Sequence, residues 1–328
     1  MSIVGQTISD LERSAATLDG LRERQERQLQ VVSIADFLAK ELPPRENVLS
    51  PWLPCQGLAM IHAPRGIGKT HVALNIAYAV ASGGDFLGWS APKARRVLFL
   101  DGEMPASALQ ERLAEIVRAS KIEAEPDRFH ILTPDLNRDG MPDLGDSKDQ
   151  DELAPLVEGV ELIVVDNIST LCRTGKENEA EGWLPVQGWA LRMRAAGRSV
   201  LFVHHSGKTG LQRGTSRRED VLDTVIALRR PTDYRQEQGA RFEVYFEKAR
   251  GIYGKEVEPF EAALTTDRQG LQVWGVKTVE ACNRDRIATM LKDGMSQKDI
   301  ALELGLSKSN VSYHAKNAKA EGRINGRA

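Results

Sequence analysis

The stretch HAPRGIGKTHVAL combines residue types that could bind phosphate. An apolar run leads into a turn with Gly66 and Gly68, and Lys69 and Thr70 open a second apolar stretch. A strand, turn and helix of this kind surround a phosphate with backbone N–H groups. The lysine then reaches the β- and γ-oxygens, and the threonine hydroxyl ligates Mg²⁺. Ala63 stands at the first glycine of the G-x-x-x-x-G-K-[ST] pattern. We predict a site for ATP and Mg²⁺ formed by Arg65, Gly66, Ile67, Gly68, Lys69, Thr70 and His71.

A second run, LIVVDN, places Asp166 at the end of an apolar stretch that is typical of a buried strand. A solitary acid in that position is costly unless it faces a cation. We therefore predict that Asp166 and Thr70 hold Mg²⁺. The next residue is Asn167 rather than glutamate. The base that activates water must then come from another segment.

The segment VLFLDGEM supplies two candidates for that base. Glu103 lies just past the predicted strand, and Asp101 lies at its end. If this strand neighbours the phosphate-loop strand, Glu103 lies over the γ-phosphate and can orient a water molecule. We favour Glu103 because of its position in the turn, and Asp101 is the alternative.

Two adjacent histidines, His204 and His205, end the apolar run LFVHH. A zinc site would need further His or Cys at ligand spacing, and the nearest other histidines are His130 and His314, so zinc ligation is disfavoured. Because side chains alternate along a strand, only one histidine of the pair can face the phosphate. We predict that His205 does so and that His204 is a core residue.

A glycine-punctuated loop, SGKTGLQRGTSRR, follows the histidines and contains no aromatic residue. Its cations are Lys208, Arg213, Arg217 and Arg218. This composition suits contacts with the phosphates of single-stranded DNA rather than base stacking. A solvated charged loop is the alternative. A second, more acidic candidate loop carries Arg173 and Lys176.

Lys248 and Arg250, in VYFEKARGIYG, are two residues apart and share one face of a predicted strand,. Two cations that face the same way repel each other unless an anion lies between them, and a phosphate fits that position. The alternative is a surface pair that forms salt bridges with Glu243 or Glu247.

The elements that must position these residues begin near residue 58, where short apolar runs alternate with helical stretches. Continuous apolar strands separated by helices indicate a doubly wound, mostly parallel sheet. After the histidines, consecutive strand patterns predict an antiparallel extension of one edge. The fold class is therefore α/β, with a small all-α domain at the end of the chain.

We predict three segments: a helical arm and linker over 1–44, a nucleotide-binding domain over 45–279, and a tail domain over 280–328. The arm has a thin apolar stripe of Ile8, Leu11, Ala15 and Leu18. Such an arm is either solvated or docked on a neighbouring subunit.

The tail segment SQKDIALELGLSKSNVSYHAKNAKAEG resembles a helix-turn-helix. Ser296 and Ser307 are predicted helix caps,. The predicted core residues are Ile300, Ala301, Leu304, Leu306 and Val311. The predicted DNA-facing residues are Lys308, Asn310, Tyr313 and Lys316, together with Ser309 and Ser312,. Helix-turn-helix units also serve as protein adaptors, and that alternative stays open.

Composition narrows the class of protein. The 328 residues are 41% apolar, as in an ordinary soluble protein, and no 18-residue apolar run predicts a membrane span,. Three separated cysteines and an amino terminus without a signal pattern favour the reducing cytoplasm,. The net charge of −2 divides into +4 over residues 283–328 and −6 over the rest, which weakly favours a polyanionic partner for the tail,.

In this order, APRGIGKT, LFLDGEM, LIVVDN, LFVHHSGK and FEKARG resemble the RecA-type ATPase domain of plasmid RepA-like hexameric replicative helicases. This group is related to the DnaB-type and KaiC-like proteins. The resemblance covers about residues 45–275 and implies a RecA-like P-loop fold. It also implies an ATP-hydrolysing hexameric ring with single-stranded DNA in its pore.

The resemblance implies roles for five residues: Glu103 as base, Lys69 on the phosphates, His205 as γ-phosphate sensor, and Lys248 and Arg250 on the nucleotide of the neighbouring subunit. Arg230 is a poorer candidate for the contact with that neighbouring nucleotide. The implied function is a DNA helicase in plasmid or mobile-element replication. One alternative is an ATP-dependent DNA-binding regulator or loader without unwinding activity. A scaffold that binds nucleotide only structurally is another.

Overall fold

The computed structural model describes residues 30–174, 180–206, 219–322 and 324. The chain divides into two compact units, residues 1–44 and 45–328. In the first unit, helix α1 (Ile34–Ala39) is capped by Ser33, whose side chain accepts a hydrogen bond from the Asp36 N–H. The predicted stripe from Ile8 to Leu18 lies outside the described residues.

The second unit is built on a nine-stranded sheet in its described part. The strands of this sheet are β3 (Leu58–Ala63), β6 (Val97–Asp101), β7 (Phe129–Leu132), β8 (Leu162–Asp166), β9 (Ser199–His205), β10 (Thr224–Arg229), β11 (Arg241–Ala249), β12 (Phe260–Thr266) and β13 (Gln272–Thr278). Short strands outside it are β1 (Asn47–Leu49), β2 (Leu53–Pro54), β4 (Asp85–Phe86) and β5 (Trp89–Ser90). The helices are α2 (Lys69–Ser82), α3 (Ala106–Ala119), α4 (Ser147–Leu153), α5 (Ile168–Leu171), α6 (Ala180–Ala195), α7 (Val279–Lys292), α8 (Gln297–Glu303) and α9 (Lys308–Ala320).

The strand order is β13-β12-β11-β10-β3-β9-β8-β6-β7. The six strands from β10 to β7 are parallel, and β11, β12 and β13 are antiparallel. Every residue of β3, β6 and β8 is buried, since separate apolar cores cover the two faces of the sheet. This architecture confirms the predicted α/β class with an antiparallel extension at one edge.

The strand order also shows where one expectation failed. The strand that precedes Glu103, β6, is not a neighbour of the phosphate-loop strand, because β9 and β8 lie between β6 and β3. The predicted position of Glu103 over the γ-phosphate assumed that these two strands are neighbours, and that assumption is wrong. Sequence pattern predicts strands well, whereas their order depends on which helix packs on which face.

The tail forms the predicted helices α8 and α9, with α7 before them. Ser296 and Ser307 are their amino-terminal caps, as predicted. Ile287, Ile300 and Val311 are fully buried at the centre of a small core. Among the described residues, no helix is both long enough and apolar enough to cross a membrane.

Candidate nucleotide site and nucleic-acid interface

The phosphate loop joins the buried strand β3 to the buried helix α2. Gly66 has φ 76° and Gly68 has φ 108°, left-handed conformations that favour glycine. Gly68 caps α2 without a side-chain hydrogen bond. The Gly68 cap therefore places no side chain over the first N–H groups of this fourteen-residue helix, which is the arrangement that suits anion binding. This local geometry fits the predicted phosphate site.

Lys69 is folded back onto the loop. Its Nζ donates hydrogen bonds to the carbonyl oxygens of Ala63 at 3.0 Å and Pro64 at 2.9 Å. The side chain is buried, and this burial lowers its pKa to about 8 despite the nearby carboxylates of Asp166 and Glu103. A phosphate would offer a full negative charge in place of two neutral carbonyl groups, so Lys69 can exchange partners at low cost.

Asp166 ends β8 and is 3% exposed. Burial raises its pKa to about 7, while a hydrogen bond from Thr70 and the charge of Lys69 lower it. Its Oδ2 is buried without a hydrogen-bond partner in the described part of the chain. A hydroxyl, a carboxylate and an open carboxylate oxygen suit Mg²⁺.

No cluster of three or more His, Cys, Asp or Glu side chains that could hold a metal occurs among the described residues. Protein sites for Mg²⁺ commonly use one or two protein ligands together with substrate phosphates. The pair Thr70 and Asp166 fits that kind of site.

The two candidate bases differ in their surroundings. Asp101 is 1% exposed, and its Oδ2 accepts hydrogen bonds from the Met104 N–H and the Thr133 hydroxyl, both at 3.2 Å. Burial raises its pKa. The Glu103 side chain is 60% exposed, and its Oε2 accepts a hydrogen bond from Asn167 Nδ2 at 2.6 Å. Asp101 therefore holds the turn, and Glu103 is the carboxylate available to a substrate.

The two histidines separate as side-chain alternation requires. His205 lies opposite Ala63 in the register of β9 and β3, and its Nε2 is 3.6 Å from Glu103 Oε2. Burial lowers the pKa of His205, and the charge of Lys69 adds to this effect. His204 is fully buried. The site thus brings His205, Glu103, Lys69 and Asp166 together.

Arg230, a poorer sequence candidate for the contact with a neighbouring nucleotide, lies instead at the phosphate loop of its own chain. Its Nη2 donates to the Gly66 carbonyl in the phosphate loop at 2.6 Å, and its guanidinium stacks over the Tyr234 ring at 3.7 Å. The contact arises because β10 lies beside β3 in the sheet. The sequence pattern does not show which strands are neighbours in the sheet, and it gives no other indication that Arg230 contacts the phosphate loop.

Lys248 and Arg250 do not join the site of their own chain. Lys248 lies opposite Val225, near the start of β10, and β10 is parallel to β3. Both cations are thus at the amino-terminal edge of the parallel strands, whereas the phosphate loop is at the carboxyl edge. Lys248 donates to the Glu219 carbonyl and Arg250 to the Asp220 carbonyl at 2.9 Å.

The alternative partners of these two cations are engaged elsewhere. Glu243 accepts from Arg286 at 3.0 Å. Glu247 accepts from Arg229 at 2.9 Å and lies 2.8 Å from His62 Nε2. These contacts do not match the alternative in which Lys248 and Arg250 form salt bridges with Glu243 or Glu247.

The two loops predicted to contact DNA lie mostly outside the described residues. Lys208, Arg213, Arg217 and Arg218, and Lys176 in the second loop, lie outside the described residues. Arg173 donates to the backbone carbonyls of Thr170 at 3.0 Å and Met141 at 2.8 Å. This engagement makes Arg173 a structural residue here.

On the tail, the predicted DNA-facing side chains lie on the solvent side of α9. Those of Lys308, Asn310 and Lys316 are exposed, and Tyr313 is 58% exposed. Val311 on the same helix is fully buried. The helix therefore offers a polar, basic face, as a recognition helix requires.

Residues 22–210 match the family model described as AAA domain. The chain belongs to the AAA domain family. In this AAA domain, Asn167 follows the strand-end Asp166 and donates a hydrogen bond to Glu103, which lies in the turn after the adjacent strand β6. Residues 290–325 match the model described as winged helix-turn-helix DNA-binding, which covers α8 and α9.

Two solved structures resemble this AAA domain chain. A KaiC-like protein from the archaeon Pyrococcus horikoshii OT3 is 16% identical, with a TM-score of 0.46 over 72% of this chain and 99% of that one. The flagellar accessory protein FlaH from Methanocaldococcus jannaschii is 14% identical, with a TM-score of 0.46 over 69% of this chain and 91% of that one.

Proposed function

We propose that this chain hydrolyses ATP with Mg²⁺ at the carboxyl edge of its parallel strands. The observation that carries the proposal is the state of the buried Asp166 carboxylate. Its Oδ2 has no hydrogen-bond partner in the described part of the chain, while the carboxylate accepts a hydrogen bond from Thr70 and lies close to Lys69. An ionised carboxylate is costly in that position without a cation. Mg²⁺, when bound, neutralises phosphate charge and polarises the bond that breaks.

The residues of the chain have separable roles in this proposal. Lys69 leaves the Ala63 and Pro64 carbonyls and binds the β- and γ-phosphate oxygens. Glu103 accepts the proton of the attacking water once its hydrogen bond with Asn167 loosens. His205, 3.6 Å from Glu103, contacts the γ-phosphate and senses its loss.

We further propose that Lys248 and Arg250 act on the nucleotide of a neighbouring copy in a hexameric ring. Their position at the opposite edge of the sheet from their own phosphate loop supports this arrangement. An arginine supplied across an interface contributes about 10³–10⁵ in turnover. In such a ring, the nucleotide site of each chain faces a different surface of the next chain, so the interface is head-to-tail.

A mixing experiment tests the trans contact. Lys69→Ala and Arg250→Ala chains are each expected to be nearly inactive. In an equal mixture, about a quarter of head-to-tail interfaces would combine an intact Lys69 with an intact Arg250, so hydrolysis should return in part. If the two variants assemble into mixed rings and the mixture is still as inactive as its components, the proposed contact of Arg250 with the neighbouring nucleotide is wrong.

The same proposal makes the assembly a DNA motor, a replicative helicase of the plasmid or mobile-element type. The cations of residues 208–218 would contact single-stranded DNA, and the exposed face of α9 would contact duplex DNA. The test is displacement of one strand of a forked duplex with Mg²⁺ and ATP. Lys69→Ala is the matched control.

A second function is an ATP-dependent DNA-binding regulator or loader. The observation that favours it is the attachment of the tail to the ATPase body, where Arg286 of α7 pairs with Glu243 and Asp233. Hydrolysis stimulated by single-stranded DNA without strand displacement would select this function over the helicase.

A further inference from the structure

The segment that joins β10 to β11, from residue 230 to the first residue of β11 at 241, touches the phosphate loop at one end. Arg230 donates from Nη2 to the Gly66 carbonyl at 2.6 Å and from Nη1 to the Gly239 and Arg241 carbonyls at 3.2 and 3.1 Å. Its guanidinium stacks on Tyr234, whose hydroxyl donates to the Gly239 carbonyl at 3.0 Å. We call residues 230–241 the connecting segment. Arg230 ties the connecting segment to the loop that surrounds the phosphates.

The same segment holds the tail. Asp233 lies 3.0 Å from Arg286 Nε on α7 and 3.0 Å from Arg241 Nη2. The contact of Asp233 with Arg286 Nε is an ion pair without a hydrogen bond. Arg286 donates hydrogen bonds to Glu243 at 3.0 Å and to Glu261, and Arg241 donates to Glu261 at 2.8 Å. Two guanidinium groups and three carboxylates therefore join the connecting segment, the sheet extension and α7.

The ion pairs of Arg286 with Glu243 and Glu261 are shielded from water, since the side chain of Arg286 is 7% exposed and those of the two glutamates are each 11% exposed. The Asp233 side chain is more open, at 35% exposed. Removing one member would leave an uncompensated charge, so the group holds together as a unit. An open groove of about 690 Å³ borders this group and is lined by Asp233, Arg241, Glu261 and Arg286, together with Cys282 and Met290 of the tail.

A continuous path of contacts therefore runs from Gly66 through Arg230 and the connecting segment to Asp233 and Arg286. In this path, the hydrogen bonds of Arg230 go to neutral carbonyls. Carbonyl partners are weaker than phosphate or carboxylate oxygens. A change at the Gly66 peptide on nucleotide binding would therefore act first on the hydrogen bond from Arg230.

We propose that nucleotide at the phosphate loop and DNA at the helix-turn-helix are energetically linked through the connecting segment, with Asp233 as a positioning residue. This inference rests on the proposed nucleotide site. Coupling between two binding sites is reciprocal. Mg²⁺ and nucleotide thus set the affinity of the tail for duplex DNA, and duplex DNA sets the affinity for nucleotide by the same factor.

Hydrogen–deuterium exchange on the full chain tests the link without a known DNA sequence. The probe is Mg²⁺ with AMP-PNP. We expect slower exchange in residues 62–72, where nucleotide binds, and also in residues 279–292, the first helix of the tail. Asp233→Asn should keep the first protection and lose most of the second. Asp233 is 35% exposed, so this variant is expected to fold.

Glu237→Gln is the matched control, because Glu237 is exposed on the same segment. It should behave as the wild type. As a second readout, the Kd for a mixed-sequence 30-base-pair duplex should change about fivefold with AMP-PNP, the low end for coupled sites. That change should disappear in Asp233→Asn.

The outcomes separate two failures. Protection of 62–72 without any change at 279–292, or an Asp233→Asn protein that matches the wild type in both readouts, overturns the link and leaves the nucleotide site intact. Absence of protection at 62–72 would remove the proposed nucleotide site, and the link with it.

Discussion

Replacing Asp166 by asparagine should make the metal-free chain more stable at neutral and alkaline pH. The pKa of Asp166 is about 7 in the fold against an ordinary value of 3.8. Because the folded pKa is the higher one, the folded chain binds more protons than the unfolded chain between these two values. The stability of the wild type therefore falls as pH rises through this window.

The size of the effect follows from the shift. Between about pH 5 and the folded pKa of about 7, the free energy of unfolding falls by about 1.36 kcal/mol for each pH unit. Over two pH units this loss amounts to about 3 kcal/mol. Asp166→Asn removes the titrating group and keeps a partner for the Thr70 hydroxyl, so its stability should lack this fall. Mg²⁺ with ADP should stabilise the wild type and not the variant, because the variant loses a metal ligand.

Urea unfolding in EDTA, measured at about pH 5 and about pH 8, gives the free energy of unfolding for both proteins. The difference between variant and wild type should grow by about 3 kcal/mol from the lower to the higher pH. If the free energies of unfolding of the two proteins changed in parallel with pH, the claim that the buried Asp166 carboxylate is destabilising without a bound cation would be refuted.

Three further changes give expected outcomes. Glu103→Gln should lower ATP turnover by about 10²–10⁴ with nucleotide affinity kept, and turnover equal to the wild type in a phosphate-release assay would remove Glu103 as base. Arg250→Ala should lower turnover by about 10³–10⁵ without changing the affinity of a single chain for nucleotide, as equilibrium titration can show. Arg286→Met should lower the free energy of unfolding by about 3–5 kcal/mol, because it leaves buried carboxylates unpaired, and a loss below about 1 kcal/mol in urea unfolding would contradict the role assigned to its ion pairs.

The fold could be predicted in outline because its main signal is local. Apolar runs such as LAMIHA and LIVVD form buried strands, and the phosphate-loop motif places a helix after the first of them. The position of β6 could not be predicted, because strand order is set by packing between distant segments. Glu103 still reaches the site, through its contacts with Asn167 and His205.

The contacts that sequence reasoning missed are long-range and polar. Arg230 meets Gly66 across 164 positions, and Arg286 meets Glu243 across 43. Neither pair has a motif, and an arginine near a strand end has many possible partners. The opposite-edge position of Lys248 and Arg250 likewise became visible only from the register of β10 with β3 and β11.

The most direct test of the central claim is phosphate release from ATP by the full chain, with and without Mg²⁺ and with and without single-stranded DNA. We predict Mg²⁺-dependent hydrolysis that rises with single-stranded DNA and is abolished by Lys69→Ala. Release that ignores Mg²⁺, or that persists unchanged in Lys69→Ala, would contradict the account.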